Sequence, residues 1–405
     1  MKATSPPTRR TRPWLTRNVF GLAFSSLFSD LGHEMITALL PGFLVTLGAP
    51  AFGLGLIEGI SNFSQSVAEL WSGRKADRVR DRAPWIGWGY VATTLKSAIA
   101  LVPAWGWIIP IRTAAWLGRG IRGPMRDALI ADDVPKEAWG KAYGFREALD
   151  TLGAFLGPLT AALLVGHLSY RLLIGLSVLP SVIAVGIILA TIREVPHRLE
   201  HPSELSLAPV STSPAFRRFI IAASLFAVGY IAPTFFILRA IQLLGSHGTS
   251  AATALSIGLY AIHNLFYAGF SYPAGALADR LPPRRLLATG YLLWAVVLVI
   301  LAAGPKNLVV LAVPFVLSGT ATAIIEPVQT TFAAQLLPPE SRGQGLGLLS
   351  GLTGLGQLVS GLAVGAVWTA FSAPSAFILS TILAILGLVL LRFIPVKRSA
   401  AGNPS

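Results

Sequence analysis

The feature that most constrains this chain is recurrence. Apolar stretches long enough to cross about 30 Å of hydrocarbon return along almost the whole of its 405 residues. They are long runs of Leu, Ala, Gly and Val, without the short alternation of a membrane β-barrel. In lipid, the other structure that pairs every backbone N–H and C=O internally is the α-helix. The stretches near 18–47, 52–72, 84–104, 106–131, 140–165 and 171–192 predict six spans. Those near 216–244, 251–276, 284–303, 308–337, 341–368 and 374–394 predict six more. The expected fold class is therefore an all-α, multi-pass membrane protein. Composition agrees: 12% of residues are charged and 53% hydrophobic, against about 25% charged in an average soluble domain. Such hydrophobicity excludes a disordered chain, and the absence of Cys excludes a disulfide-stapled scaffold. The first apolar run follows a basic tail but is too long for a signal peptide's apolar region and lacks a convincing cleavage site, so it reads as a span.

The net charge of +14 is an orientation signal. Lys2, Arg9, Arg10, Arg12 and Arg17 precede the first span, and Arg74, Lys75, Arg78, Arg80 and Arg82 follow the second. Arg193, Arg198, Arg217 and Arg218 lie in the middle loop, Arg280, Arg284 and Arg285 follow the eighth span, and Arg392, Lys397 and Arg398 end the chain. The alternate loops hold little beyond Arg171 and Lys306. By the positive-inside rule both termini are expected in the cytoplasm, which requires an even number of spans in an inner, cytoplasmic membrane. No segment offers the basic face of a folded nucleic-acid-binding domain.

The chain also repeats itself. Gly73-Arg-Lys-Ala-Asp77-Arg78 ends the second apolar run, and Gly275-Ala-Leu-Ala-Asp279-Arg280 ends the eighth, about half the chain later. The most polar connector falls between the halves. The division expected is a basic tail over 1–17, a six-helix bundle over 18–192, a linker over 193–215, a second bundle over 216–395 and a tail over 396–405. In these motifs the chain resembles the major facilitator superfamily of secondary transporters. The resemblance implies two six-helix bundles related by pseudo-two-fold symmetry about the membrane normal. It also implies that Gly73, Asp77, Arg78, Gly275, Asp279 and Arg280 belong to cytoplasmic gates. Arg80 and Pro282 stand where the family usually has a second Gly, and Asp81 replaces a basic residue. Gly144, Gly153, Gly157 and Pro158, followed by Ala161 and Ala162, resemble the family's antiporter motif. Physically, small residues at this spacing let helices approach closely, and Pro158 removes a backbone hydrogen bond. The run from Gly118 to Asp132 is similar to one branch of the family.

Ionisable groups at membrane depth are expensive and point to function. Asp30, His33 and Glu34 fall within about a 100° arc of the first span. Two carboxylates on one face cannot comfortably both be ionised in a low dielectric, so the cluster suits proton exchange or capture of a cation. The alternative is a structural cluster neutralised by arginines of neighbouring helices. Glu58 lies about two turns inside the second span, Lys96 deep in the third and Arg112 about two turns into the fourth. Arg112 with Gly118 and Gly120 loosely resembles a family motif associated with proton transfer. Arg119, Arg122, Arg126 and Asp127, with Arg146, Glu147 and Asp150, read mainly as an inter-helix ion-pair network, with Asp150 kept as a binding candidate. The seventh span, in the place of the first, carries no acid. The second half offers Arg239, Gln242, His263, Asn264, Tyr267, Gln329 and Gln357, and Glu326 as a contact for a cationic substrate.

No phosphate-binding loop is present, so a gradient must drive transport. The reading is a monomeric carrier that moves a small molecule by alternating access, by proton-coupled antiport outward; proton-coupled uptake is the alternative. No His-Glu-x-x-His or nucleophile–base set supports an enzyme. No cofactor is expected, and no metal site, since His33 has no second His or Cys nearby. The partners expected are the substrate, protons and the bilayer.

Overall fold

The computed structural model describes residues 14–76, 78–195, 213–278, 281–338 and 342–394. Among them every regular element is helical. The spans are Arg17–Thr46, Ala51–Ala76, Ala83–Thr94, Ile108–Asp133, Trp139–Leu164, and Tyr170–Leu176 with Val178–Thr191. The second half follows with Pro214–Gly229 and Pro233–Leu243 as the seventh, then Thr249–Ala278, Pro283–Ala303, Leu308–Gln335, Arg342–Ala370 and Ala373–Leu391. Their starts carry local signals. Ser213 accepts from the Phe216 N–H and Asn307 from those of Val309 and Val310, and Pro stands in the first turn at 214, 233 and 283, where its missing N–H is no loss.

Three spans depart from the single helices expected. The third tightens into a 3-10 helix over Leu95–Leu101 ahead of Pro103, whose ring holds Val102 extended. The sixth is interrupted at Ser177, because Pro180 has no N–H for the Leu176 carbonyl and its ring crowds that carbonyl; the Ser177 hydroxyl bonds back to the Ile174 carbonyl at 2.6 Å. The seventh opens over 230–232, where Pro233 has no N–H to continue the helix and Ala232 is extended.

Among the described residues, seven helices are long and apolar enough, by length and composition, to cross a membrane: the fifth to seventh and the ninth to twelfth spans. The first, second and fourth fall short because they carry Asp30, Glu58, Arg112, Arg119 and Arg122. The third is a short α-helix before it tightens. A hydropathy average sums both faces, so a helix that turns polar groups inward looks less apolar than its lipid face is.

Packing repeats between the halves. The first span lies on the fifth and sixth, the second on the fourth, and the third on the fourth and sixth. The seventh likewise lies on the eleventh and twelfth, the eighth on the tenth, and the ninth on the tenth and twelfth. The halves meet where the second span packs on the eleventh and the fifth on the eighth, contacts that exchange under the same two-fold. Gly55 and Gly361 make the first crossing possible: a Cβ on Gly55 would lie 2.0 Å from the Gly361 carbonyl oxygen, and one on Gly361 2.4 Å from that of Gly55. On the side away from the termini the halves are also joined by Phe52 N–H donating to Thr369 Oγ1 at 2.9 Å and by the Tyr170 and Thr253 hydroxyls 3.1 Å apart.

Candidate transport cavity

Between the halves lies a cavity of about 320 Å³. The first span contributes His33, Glu34 and Thr37, the second Glu58, Asn62, Gln65 and Ser66, and the fourth Arg112, Trp116 and Arg119. Facing them are the broken stretch of the seventh span from Tyr230 to Phe235, Tyr260, Glu326, and Gln357 to Val364 of the eleventh. The spacing follows from the helical period, since 112, 116 and 119 recur on one face. Glu326 is exposed, on the half of the tenth span nearer the termini, so the cavity opens toward that side.

The charges fall into distinct arrangements. Arg112 Nη2 lies 2.8 and 2.9 Å from the two carboxylate oxygens of Glu58, and its guanidinium covers the Trp116 ring at 4.2 Å. Trp116 is held in turn by donating to Asn62 Oδ1 at 3.1 Å. The Nε and Nη1 atoms of Arg112 have no hydrogen-bond partner among the described residues, although Arg112 is 1% exposed. Each buried polar group left so costs roughly 1–3 kcal/mol. Arg119 donates both Nη atoms to the two oxygens of Asp30, at 2.9 and 3.0 Å. Asp30 is buried behind the wall, with Arg122 Nη2 3.8 Å away. Below it Ser29 accepts from Arg122 through its hydroxyl and from Lys96 through its carbonyl.

Glu34 differs. Its Oε2 accepts a 2.8 Å hydrogen bond from the hydroxyl of Tyr260, in the opposite half, and its Oε1 lies 3.7 Å from His33 Nε2. Among the described residues no arginine or lysine forms an ion pair with it. Glu326 is similar, accepting from Tyr267 at 2.6 Å.

Of the residues singled out from sequence, His33, Glu34, Glu58, Arg112, Arg119, Glu326 and Gln357 line this cavity. Asp30 does not line it, but holds Arg119, which does. Asp150 lies off it, 3.8 Å from Arg146, and Arg146 also pairs with Glu147. Arg239 is elsewhere too, its Nε donating to the Leu301 carbonyl. His263 pairs with Ser318 at 2.7 Å, while Asn264 reaches across to the Ala154 carbonyl at 2.8 Å. Gly153 and Gly157 sit where the first and fifth spans cross: a Cβ there would lie 2.2 Å from Leu27 O and 2.5 Å from Leu31 O. Gly144 faces open space, and Pro158 lies within an unbroken helix. Gly73 approaches Pro124, Gly275 faces open space, and Arg78 is exposed. Asp77, Asp279 and Arg280 lie outside the described residues. Sequence reasoning missed Tyr260 and Thr234. The signal for Tyr260 was its place on one helical face with His263, Asn264 and Tyr267, at intervals of three, four and seven.

Two six-helix bundles around a polar, two-sided cavity are an architecture of membrane transporters. The model of the Major Facilitator Superfamily matches residues 22–262 and 240–405, and the chain belongs to that family. It is 29% identical to an uncharacterised MFS-type transporter, MJ1317, of Methanocaldococcus jannaschii, over 94% of this chain and 95% of that one. It is 27% identical to the uncharacterised protein Rv2265 of Mycobacterium tuberculosis, over 87% and 86%. Among solved structures, a variant of the nucleoside transporter NupG superposes with a TM-score of 0.79, covering 93% of this chain and 99% of its own at 13% identity. A bacterial homologue of the human lysosomal transporter Spinster, inward-facing and unoccupied, gives 0.75, covering 95% and 98% at 15% identity.

Proposed function

We propose that this chain is a proton-coupled antiporter that moves a small molecule out of the cell, works as a monomer, and holds both termini in the cytoplasm. The observation that carries the reading is Glu34: a cavity carboxylate whose 2.8 Å hydrogen bond comes from Tyr260 of the other half. A hydrogen bond to an ionised acceptor is roughly twice as strong as a neutral one. Ionised and empty, Glu34 ties the halves together on the side away from the termini. A proton on Glu34 weakens the tie, and so does a substrate group that takes the carboxylate for itself. The proton-loaded and the substrate-loaded carrier can then reorient, whereas the empty, ionised carrier is held. That is the condition for exchange: two ligands compete for one group, and the unloaded form does not cross.

In this scheme Glu58 and Arg112 form the neighbouring paired wall. Asp30 fixes Arg119, and Glu326 marks the cavity mouth. The glycines at 153 and 157 support the reading through their likeness to the antiporter motif and by letting the first span move against the fifth. We assign the loop motifs at 73–78 and 275–280 to gates, on their resemblance alone.

The test uses everted membrane vesicles carrying a pH-sensitive dye. The transported substrate, found by a tolerance panel of antibiotics, dyes and metal salts in a transporter-deficient host, should release protons from the acidified lumen. Glu34→Gln should abolish that release and, because substrate and proton share this carboxylate, weaken substrate binding as well. Normal proton release by that variant would refute the assignment, and proton entry together with substrate would turn the reading to uptake. Asp77→Asn should slow turnover and leave binding intact.

A further inference from the structure

From the unpaired polar atoms of the cavity we infer that the substrate is dipolar, a small solute with a cationic amine at one end and an anionic oxygen group, carboxylate or phosphonate, at the other. The inference rests on the reading of Glu34 as the group that substrate and proton share. That reading supplies the amine end, because a carboxylate gripped by a tyrosine hydroxyl is released by a stronger, charged donor. It says nothing of the other end.

The other end is set by Arg112 and Thr234. Arg112 is 1% exposed and spends one nitrogen on Glu58, leaving Nε and Nη1 with no acceptor among the described residues. One flat face is covered by Trp116 at 4.2 Å, and the buried edge that carries Nε and Nη1 is the part of a guanidinium that binds planar or tetrahedral oxyanions. Across the cavity Thr234 is 2% exposed and its hydroxyl also has no partner among them. Thr234 opens the helix Pro233–Leu243, whose first turn adds a partial positive charge. Among the described residues, donors from both halves thus line one cavity without an acceptor, Glu58 Oε1 likewise has no hydrogen-bond donor, and the acids Glu34 and Glu326 of the same cavity form no ion pair with an arginine or lysine. A purely cationic substrate would leave the Arg112 and Thr234 donors unsatisfied, and a purely anionic one would face two unpaired carboxylates. A solute carrying both groups satisfies both sets. The volume, about 320 Å³, lies at the small end of the range of ligand sites, about 300–1,000 Å³, which suits a solute of amino-acid size.

The experiment is a ligand-dependent melting series on the purified full chain in nanodiscs. The probes are ω-amino acids from glycine to 6-aminohexanoate and the corresponding aminoalkylphosphonates, each compared with the alkylamine and the alkyl acid of the same length. At least one dipolar probe should bind about tenfold tighter than both of its single-charge matches. R112Q/E58Q, which removes the whole ion pair and leaves no stranded charge, should reduce that probe to the affinity of its amine. T234V, a smaller change, should reduce it in the same direction and serves if the double variant fails to fold. If no dipolar probe surpasses its matches, or if neither variant lowers its affinity, the inference is wrong. Proton release driven by a simple amine, indifferent to R112Q/E58Q, would refute the dipolar substrate and leave the proton reading intact. Binding of a dipolar probe through Arg112, with proton release unchanged by Glu34→Gln, would refute the proton reading and leave the oxyanion end standing.

Discussion

Removing one hydroxyl tests the coupling logic directly. In Tyr260→Phe the donor to Glu34 Oε2, 2.8 Å away and in the other half of the molecule, is lost with almost no change of shape. A hydrogen bond to a charged acceptor contributes about 1.5–3 kcal/mol net. The bond spans the two halves, so in the proposed cycle it is made while they are closed on the side away from the termini and lost when they open there. The loss therefore falls on that one conformation. With tenfold per 1.4 kcal/mol, the closed-to-open ratio should drop roughly 10- to 150-fold. The absence of Cys makes the measurement clean. A single Thr253→Cys, buried where that residue meets Tyr170 across the halves, reports opening through its rate of maleimide labelling. Measuring Tyr260→Phe against the unchanged Tyr260 in the same Thr253→Cys background cancels the effect of the reporter itself. Labelling should accelerate by about that factor while the closed state stays dominant. Glu34→Gln keeps an acceptor but makes the bond neutral and about half as strong, so its acceleration should be several-fold smaller. Labelling within twofold of the parent in both variants, with the gel-filtration profile intact, would refute the argument.

Other consequences follow from the same contacts. Asp30→Asn leaves the cavity-lining Arg119 and the buried Arg122 without their carboxylate, and since Arg119 is partly exposed the loss should fall below the about 3–5 kcal/mol of a fully buried pair. Its melting temperature should fall markedly, and adding Arg119→Gln should restore part of the loss. Gly153→Ala forces a methyl against Leu27 O, where a Cβ would lie 2.2 Å away, and should destabilise by about 1–3 kcal/mol. Gly144→Ala, inside the same helix but meeting nothing within 4 Å, should leave the melting temperature unchanged or slightly raised, so an equal loss in both variants would sink the packing account. Trp116→Phe removes the donor to Asn62 and should weaken substrate binding more than stability, read by comparing ligand affinity with the apo melting temperature.

Much of the fold was legible beforehand because lipid allows so few solutions. The place of each span follows from an apolar run of sufficient length, and the duplication follows from paired loop motifs. The break before Pro233 could be anticipated from the ring, since no N–H is available there to continue the ladder. The break at Ser177 is legible in the same way, from Pro180, whose ring opposes the Leu176 carbonyl, but the meeting of the Ser177 hydroxyl with Ser97 of another span, 3.0 Å away, is not.

The site divides the same way. Sequence alone determined that acids and bases stand at membrane depth in the first bundle, and that 30, 33 and 34 share an arc of one helix. A helix's period says which residues look in one direction, but not which neighbour they meet. Only the packing of the first span against the fourth gave Asp30 to Arg119, 89 residues away, and only the meeting of the halves gave Glu34 to Tyr260, 226 residues away. Two carboxylates one turn apart thereby acquire different chemistry, one neutralised by a guanidinium fork and the other held by a single hydroxyl. In a low dielectric a charge is defined by its nearest partner, and that partner is a property of the tertiary structure.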